Sequence, residues 1–230
     1  YDSENKTRRE LALISLAMAS ALKLTPAVLG ILLLYNKQWK EAIRTVIYGL
    51  ILGMVPFLFF HGGLVNIGRM FHNAALNVQA YSSTEGTTIV AALVAFGVNA
   101  TDGMIKIVKC ITYVIVLLLF IQCLFYKEKW EVIMAVSMVL IIAPSHSGYY
   151  CIMYLIPAAI AFLNAKEHSY SDLLILFSII FIVMDFQCDL FEYVLNYHLA
   201  IMLILAVLLI RGFVRMYDVI KHKSDNSMAK

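Results

Sequence analysis

The sequence predicts an all-α, polytopic membrane helix bundle of about eight full or partial membrane helices, including two short broken hairpins. Three observations predict it. Hydrophobic residues make up 62% of the 230 and charged residues only 14%, whereas a soluble domain is about half apolar and a quarter charged. With a mean hydropathy of +0.82, disorder is excluded as well. Several uncharged runs approach the roughly 20 residues a helix needs to cross a hydrocarbon core about 30 Å thick. No strand alternation extends over a useful length, and backbone groups in lipid must pair within their own segment, which makes these runs helices.

In chain order, Leu11 to Tyr35 comes first, interrupted by Lys23-Leu24-Thr25-Pro26. Thr45 to Phe60 is slightly short for a crossing but carries no charge. The connection 61–103 is too long for a plain loop. Within it Leu64, Ile67, Phe71, Ala74 and Val78 recur at spacings of three and four, faced by Asn66, Arg69, Asn73 and Asn77. That pattern predicts an amphipathic helix on the outer surface. Ile89 to Val98 is too short to span and is expected to be a second surface helix. Met104 to Phe125, Leu173 to Met184 and Leu195 to Ile210 come near crossing length. Val132 to Leu163 is broken by Pro144-Ser145-His146-Ser147-Gly148, since proline removes a helical donor and glycine loosens the chain. Residues 216–230 read as a cytoplasmic tail, and the whole of 1–230 as one membrane domain.

Basic residues orient the elements, because Lys and Arg concentrate on the cytoplasmic side. Each half of the two interrupted stretches is short for a crossing, so each stretch is expected to be a hairpin. Lys6, Arg8, Arg9, Lys37, Lys40, Arg44, Lys127, Lys129, Lys166, Arg211, Arg215, Lys221, Lys223 and Lys230 then share the cytoplasmic side. Both hairpin tips point outward, and polar backbone at that depth needs protein or water against it. The result is a multi-pass plasma-membrane protein with its C-terminus in the cytoplasm and a water-filled outer cavity near Lys23 and His146.

The net charge of +3 forms no basic stripe, so nucleic acid is not an expected partner. Cys110, Cys123, Cys151 and Cys188 stand in no CxxC or CxxH pattern, which argues against zinc. The chain opens YDSENKTRRE, with neither an initiator Met nor a signal peptide, and reads as the C-terminal part of a longer protein.

Two segments carry a resemblance. Leu22-Lys23-Leu24-Thr25-Pro26, an apolar run and Asn36-Lys37-Gln38-Trp39-Lys40 together resemble a segment of glycosyltransferase family 87. Ala143-Pro144-Ser145-His146-Ser147-Gly148-Tyr149-Tyr150, followed by Leu155-Ile156-Pro157, resembles a later segment of the same family. The likeness covers most of residues 8–165. It implies a GT-C-type membrane transferase moving mannose or another hexose. The donor would be a polyprenyl-phosphate sugar and the acceptor a glycolipid or glycan on the extracytoplasmic face. It also implies a catalytic Asp in the first external loop of the full protein, with no counterpart here; Asp2 does not map onto it.

On that reading Lys23 and His146 bind the donor phosphate. A fixed ammonium meets negative charge that grows on the leaving phosphate, and an imidazole can donate without being charged. The plainer alternatives are a lysine that snorkels to the interface and a histidine bonded within its own turn. Arg69, His72 and Tyr149 are the candidate substrate and acceptor contacts, with His61 beside them. Their alternatives are a solvated helix face and, for Tyr149 and Tyr150, an interfacial aromatic belt. Asp185, Asp189 and Glu192 suggest either acid–base or divalent-metal chemistry, or solvation of an external turn, which is the favoured reading. No cofactor is expected. A polysaccharide polymerase or ligase, a flippase-type transporter and a structural membrane subunit are the competing functions.

Overall fold

The computed structural model describes residues 5–23, 25–80, 86–144, 148–183 and 196–228, which divide into two compact units at residue 81. It is an all-α membrane protein; the described residues contain no β-strand. The boundary falls within the 61–103 connection.

In the first unit, Asn5 starts helix α1 (Lys6–Leu22) as a side-chain cap, its Oδ1 accepting from the backbone N–H of Thr7 at 2.9 Å. The helix stops at Lys23, whose backbone is extended at φ −149°, ψ 122°. The chain returns as a 3-10 segment, Thr25–Gly30, and a short helix α2 (Ile31–Tyr35). Lys37 closes α2 at φ 56°. Its N–H bonds to Leu34 O and that of Gln38 to Leu33 O, the Schellman arrangement that satisfies the last carbonyls of a helix. Helix α3 (Trp39–Met54) then runs on as a 3-10 segment to Phe59.

Helices α1 and α3 lie parallel. Arg9 pairs with Glu41 at 3.0 Å. A methyl group on Gly49 would rest 3.8 Å from Ala17 O, and one on Gly53 3.7 Å from Ala21 Cβ. All three pairs keep one register. Small residues four apart on both helices let the backbones approach, the usual way for helices to pack in lipid. Parallel neighbours require the intervening chain to travel back, and six residues at about 2.0 Å plus five at about 1.5 Å return about 20 Å. The expected first hairpin is therefore present, with Arg9 and Arg44 at one end of the unit; Arg44 pairs with Glu10 at 2.7 Å. Helix α4 (Val65–Ala80) follows a turn.

The second unit is built around helix α7 (Lys129–Ile142), of which 12 of 14 residues are buried. It has no polar stripe, so every face needs an apolar partner. Those partners include α6 (Asp102–Gln122), α8 (Leu155–Leu163) and α10 (Asn196–Met228). Pro144 ends α7, a 3-10 segment Tyr149–Tyr154 leads into α8, and α8 packs back on α7. The second expected hairpin is thus also formed. Helix α9 (Asp172–Val183), only 12 residues long, packs on α10. Among the described residues three helices are long and apolar enough to cross a membrane: Trp39–Phe59, Asp102–Gln122 and Tyr197–Lys221.

One expectation is corrected. The segment read as a second surface helix forms α5 (Ile89–Ala95), but Ile89, Val90, Ala91, Ala92 and Ala95 are buried. It packs on α6 and α10. Its run of small and branched apolar residues has no polar face to offer water, so burial wins.

A buried ionic cluster ties the base of this unit. Arg211 on α10 reaches Glu131 at 3.0 Å and also pairs with Asp172. Both carboxylates are nearly inaccessible, and Arg211 also donates to Ser169 and Ser171. Its guanidinium lies 5.3 Å from the Trp130 ring centre. Glu131 in turn accepts from the Glu128 N–H at 3.2 Å, and Asp172 from the Ser169 N–H at 2.8 Å. One arginine thereby fastens the starts of α7 and α9 to α10. Beside it Gln122 and Tyr126 donate to the carbonyls of Leu209 and Leu208. Burial raises the Tyr126 phenol's pKa, keeping it a neutral donor.

Candidate functional site

Each unit places a lysine beside a proline-bearing break. In the first, Lys23 is exposed where α1 stops, three residues before Pro26. Extending the α1–α3 register sets Lys23 level with Val55. The 3-10 segment continues to Phe59, four residues or about 8 Å further, so Lys23 sits recessed from the end of the neighbouring helix. Helix termini and unwound turns leave backbone donors and acceptors uncommitted, and a cation at such a break can hold an anionic group.

Arg69 and His72 are both exposed and lie three residues apart on α4, a spacing that brings them to one helix face. The Arg69 guanidinium donates to Asn66 Oδ1 at 3.4 Å, and Asn66 Nδ2 donates to His61 O at 3.0 Å. The pair can offer a sugar or headgroup one fixed positive charge and one polar ring.

In the second unit, Pro144 borders a cleft of about 20 Å³, lined also by Thr88, Lys109 and Tyr113. Thr88 caps α5 by accepting from the Ala91 N–H at 3.1 Å. Gly86 at the same end accepts from His198 at 3.0 Å. Because a carbonyl only accepts, His198 Nε2 carries the proton. Its Nδ1 is buried with no partner among the described residues, an open acceptor for a hydroxyl donor.

Of the sequence-derived candidates, Lys23, Arg69 and His72 belong to the first unit. Tyr149 opens the 3-10 segment of the second. His146, Asp185, Asp189 and Glu192 lie outside the described residues. Sequence reasoning missed Lys109 and His198. A signal for Lys109 was present, since it belongs, with Lys23, Arg69 and Lys106, to the four basic residues that the charge bias leaves outside. Nothing local marks His198, whose partner is 112 residues away.

No curated protein and no solved structure matches the chain. The model of one family, glycosyltransferase family 87, matches residues 4–145. That range takes in the Lys23 motif whole and ends inside the Pro144 motif, leaving Tyr149 and the following Leu155-Ile156-Pro157 beyond it. The match spans more than half of an all-α chain with membrane-crossing helices, and on that ground the protein is a membrane glycosyltransferase and belongs to glycosyltransferase family 87.

Proposed function

We propose that this membrane glycosyltransferase moves mannose or another hexose from a polyprenyl-phosphate donor to a glycolipid or glycan acceptor. The transfer takes place on the extracytoplasmic face of the plasma membrane, with the C-terminus in the cytoplasm. Lys23 binds the donor phosphate, as does His146; Arg69, His72 and Tyr149 contact substrate. The observation that carries this reading is the recessed lysine at a proline-bearing helix break. Breaking the bond between the sugar's anomeric carbon and the phosphate oxygen leaves a full additional negative charge on the phosphate. A lysine fixed at that break meets this charge as it grows, so it stabilises the transition state more than the bound donor.

The test uses the full-length enzyme in its membrane with a polyprenyl-phosphate hexose. Lys23→Ala should lower kcat about a hundredfold to a thousandfold, the usual cost of removing one such donor. Lys23→Arg should recover part of it, because charge survives while point geometry changes. Wild-type turnover by folded, inserted Lys23→Ala returns Lys23 to an interfacial anchor. Topology is read separately. A cysteine at position 23 should react with an impermeant thiol reagent added outside, and one at position 40 should not; the reverse pattern overturns the orientation.

A further inference from the structure

At the base of the second unit, remote along the hairpin from Pro144, a cavity of about 650 Å³ opens between the start of α7 and the end of α8. This volume is within the usual range for small-molecule sites. Its rim carries two ammonium groups, Lys129 and Lys166, and two carboxylates, Glu128 and Glu167; Trp130 also lines it. One helical turn deeper the lining becomes apolar, at Ile133 on α7 and Ala161 on α8. Outside the mouth an exposed apolar stripe runs down α8 through Leu163, Ile160 and Ile156 and on to Met153.

We infer that this cavity is a binding site for a zwitterionic phospholipid with a primary ammonium, of the phosphatidylethanolamine type. Three features select that chemistry. The grading from charged rim to apolar depth, continued by the α8 stripe, matches an amphiphile and suits neither a nucleotide nor a free sugar. Equal numbers of cations and carboxylates favour a headgroup bearing both signs over a net anion, because a net anion meets repulsion from Glu128 and Glu167. A quaternary ammonium is held by several aromatic faces, whereas here the one indole face already meets Arg211, and two carboxylates, Glu128 also accepting from the Glu131 N–H, can accept from a group with N–H donors. The Trp130 indole N–H is buried and has no acceptor among the described residues. Buried donors are seldom left so, and an ester or phosphate oxygen is the kind of partner it lacks. Trp130 also stands edge-on to Phe162, 5.0 Å between ring centres, and beneath the Arg211 guanidinium. A lipid seated here would therefore stiffen the ionic cluster that joins α7, α9 and α10.

The chain contains two tryptophans; Trp39 is well exposed on α3 of the first unit, and Trp130 lines the cavity. Trp39→Phe protein reconstituted in phosphatidylcholine vesicles makes Trp130 the sole reporter. Acyl-brominated phosphatidylethanolamine, phosphatidylcholine and phosphatidylglycerol are compared as quenchers at equal mole fraction. The ethanolamine lipid should associate about tenfold more strongly than the choline lipid, the worth of one charge-assisted hydrogen bond. Glu167→Gln should reduce that preference and Lys166→Ala should weaken association of both zwitterions; both residues are exposed, so folding is not at stake. Equal quenching by all three lipids means ordinary boundary lipid and overturns the site, as does no quenching. Stronger quenching by phosphatidylglycerol overturns the zwitterionic assignment. Displacement of the brominated lipid by soluble glycerophosphoethanolamine overturns the lipid itself as the occupant.

Discussion

The two units solve the same problem with opposite means. Among the described residues of the first, the buried apolar ones are Leu13, Ala17 and Leu33, and only 6% of the most apolar stretch of its long span is buried. Its helices meet along a seam of alanine and glycine and are tied at one end by ion pairs that water can reach. In the second, a helix apolar on every side is enclosed, and 39% of the Tyr197–Lys221 span is covered. Its base is locked by an arginine facing two buried carboxylates. Lipid tails are as apolar as leucine, so burying leucine drives little association between membrane helices. Close backbone approach and polar contacts then decide which helices hold together. The first unit relies on close approach, the second on both. Charge removal should therefore damage the second unit far more than the first.

The largest effect is expected at Arg211. Truncation to Ala strands Glu131 and Asp172 without their cation, both at most about 5% exposed as side chains. Breaking one side of a buried pair typically costs about 3–5 kcal/mol, because the remaining charge is left uncompensated. Unfolding of the purified protein in mild detergent, followed by helix signal on titration with a denaturing detergent, should show a loss of that size. Arg211→Ala combined with Glu131→Gln and Asp172→Asn should recover much of it, since the stranded charges are then gone. A loss below about 1 kcal/mol for Arg211→Ala would mean that the cluster is hydrated like a surface pair.

This cluster was the least legible part of the chain. Glu131, Asp172 and Arg211 are 80 and 39 residues apart in the pairs they form. Singly, each looks like a charge flanking an apolar run, which is how charge bias treats it. By contrast the class, both helix breaks and the shared end of the first hairpin were readable, because composition, proline and local charge act over a few residues. The burial of α5 was misread from its place inside a long connection, although its lack of any polar position pointed inward. Of the candidate site, Lys23 was visible from its motif. Lys109 showed only as one of the basic residues left outside by the charge bias, and His198 not at all, because a cleft and a buried imidazole arise from contacts between distant segments.

Glycine substitutions give the next effect, with opposite signs in the two units. A methyl group added at Gly212 would come within 2.1 Å of Gln122 Cδ. Gln122 is fully buried and donates to Leu209 O at 3.1 Å, so it cannot swing into solvent. Gly212→Ala should cost about 3 kcal/mol through overpacking and the lost hydrogen bond. At Gly49 the added methyl finds ordinary contact distance, and alanine favours the helix by up to about 1 kcal/mol. Gly49→Ala should be neutral to stabilising in the same denaturing-detergent titration. Equal destabilisation by both would mean that the α1–α3 seam is as tightly packed as the α6–α10 contact.

The smallest effect is expected at the ion pair that closes the first unit. Arg9 and Glu41 meet at 3.0 Å, but Arg9 retains 41% of its side-chain exposure. Exposed pairs contribute about 0.2–1 kcal/mol, because water competes for both charges and two long side chains lose freedom. Arg9→Ala should therefore shift unfolding by less than about 1 kcal/mol, and the shift should shrink further as ionic strength rises and screening shortens the reach of the charges. The Arg211 effect should hardly respond to salt, since its partners are shielded by protein. A salt-insensitive loss of several kcal/mol at Arg9 would put the Arg9–Glu41 pair in a dry environment and break the contrast between a water-accessible clamp and a buried one.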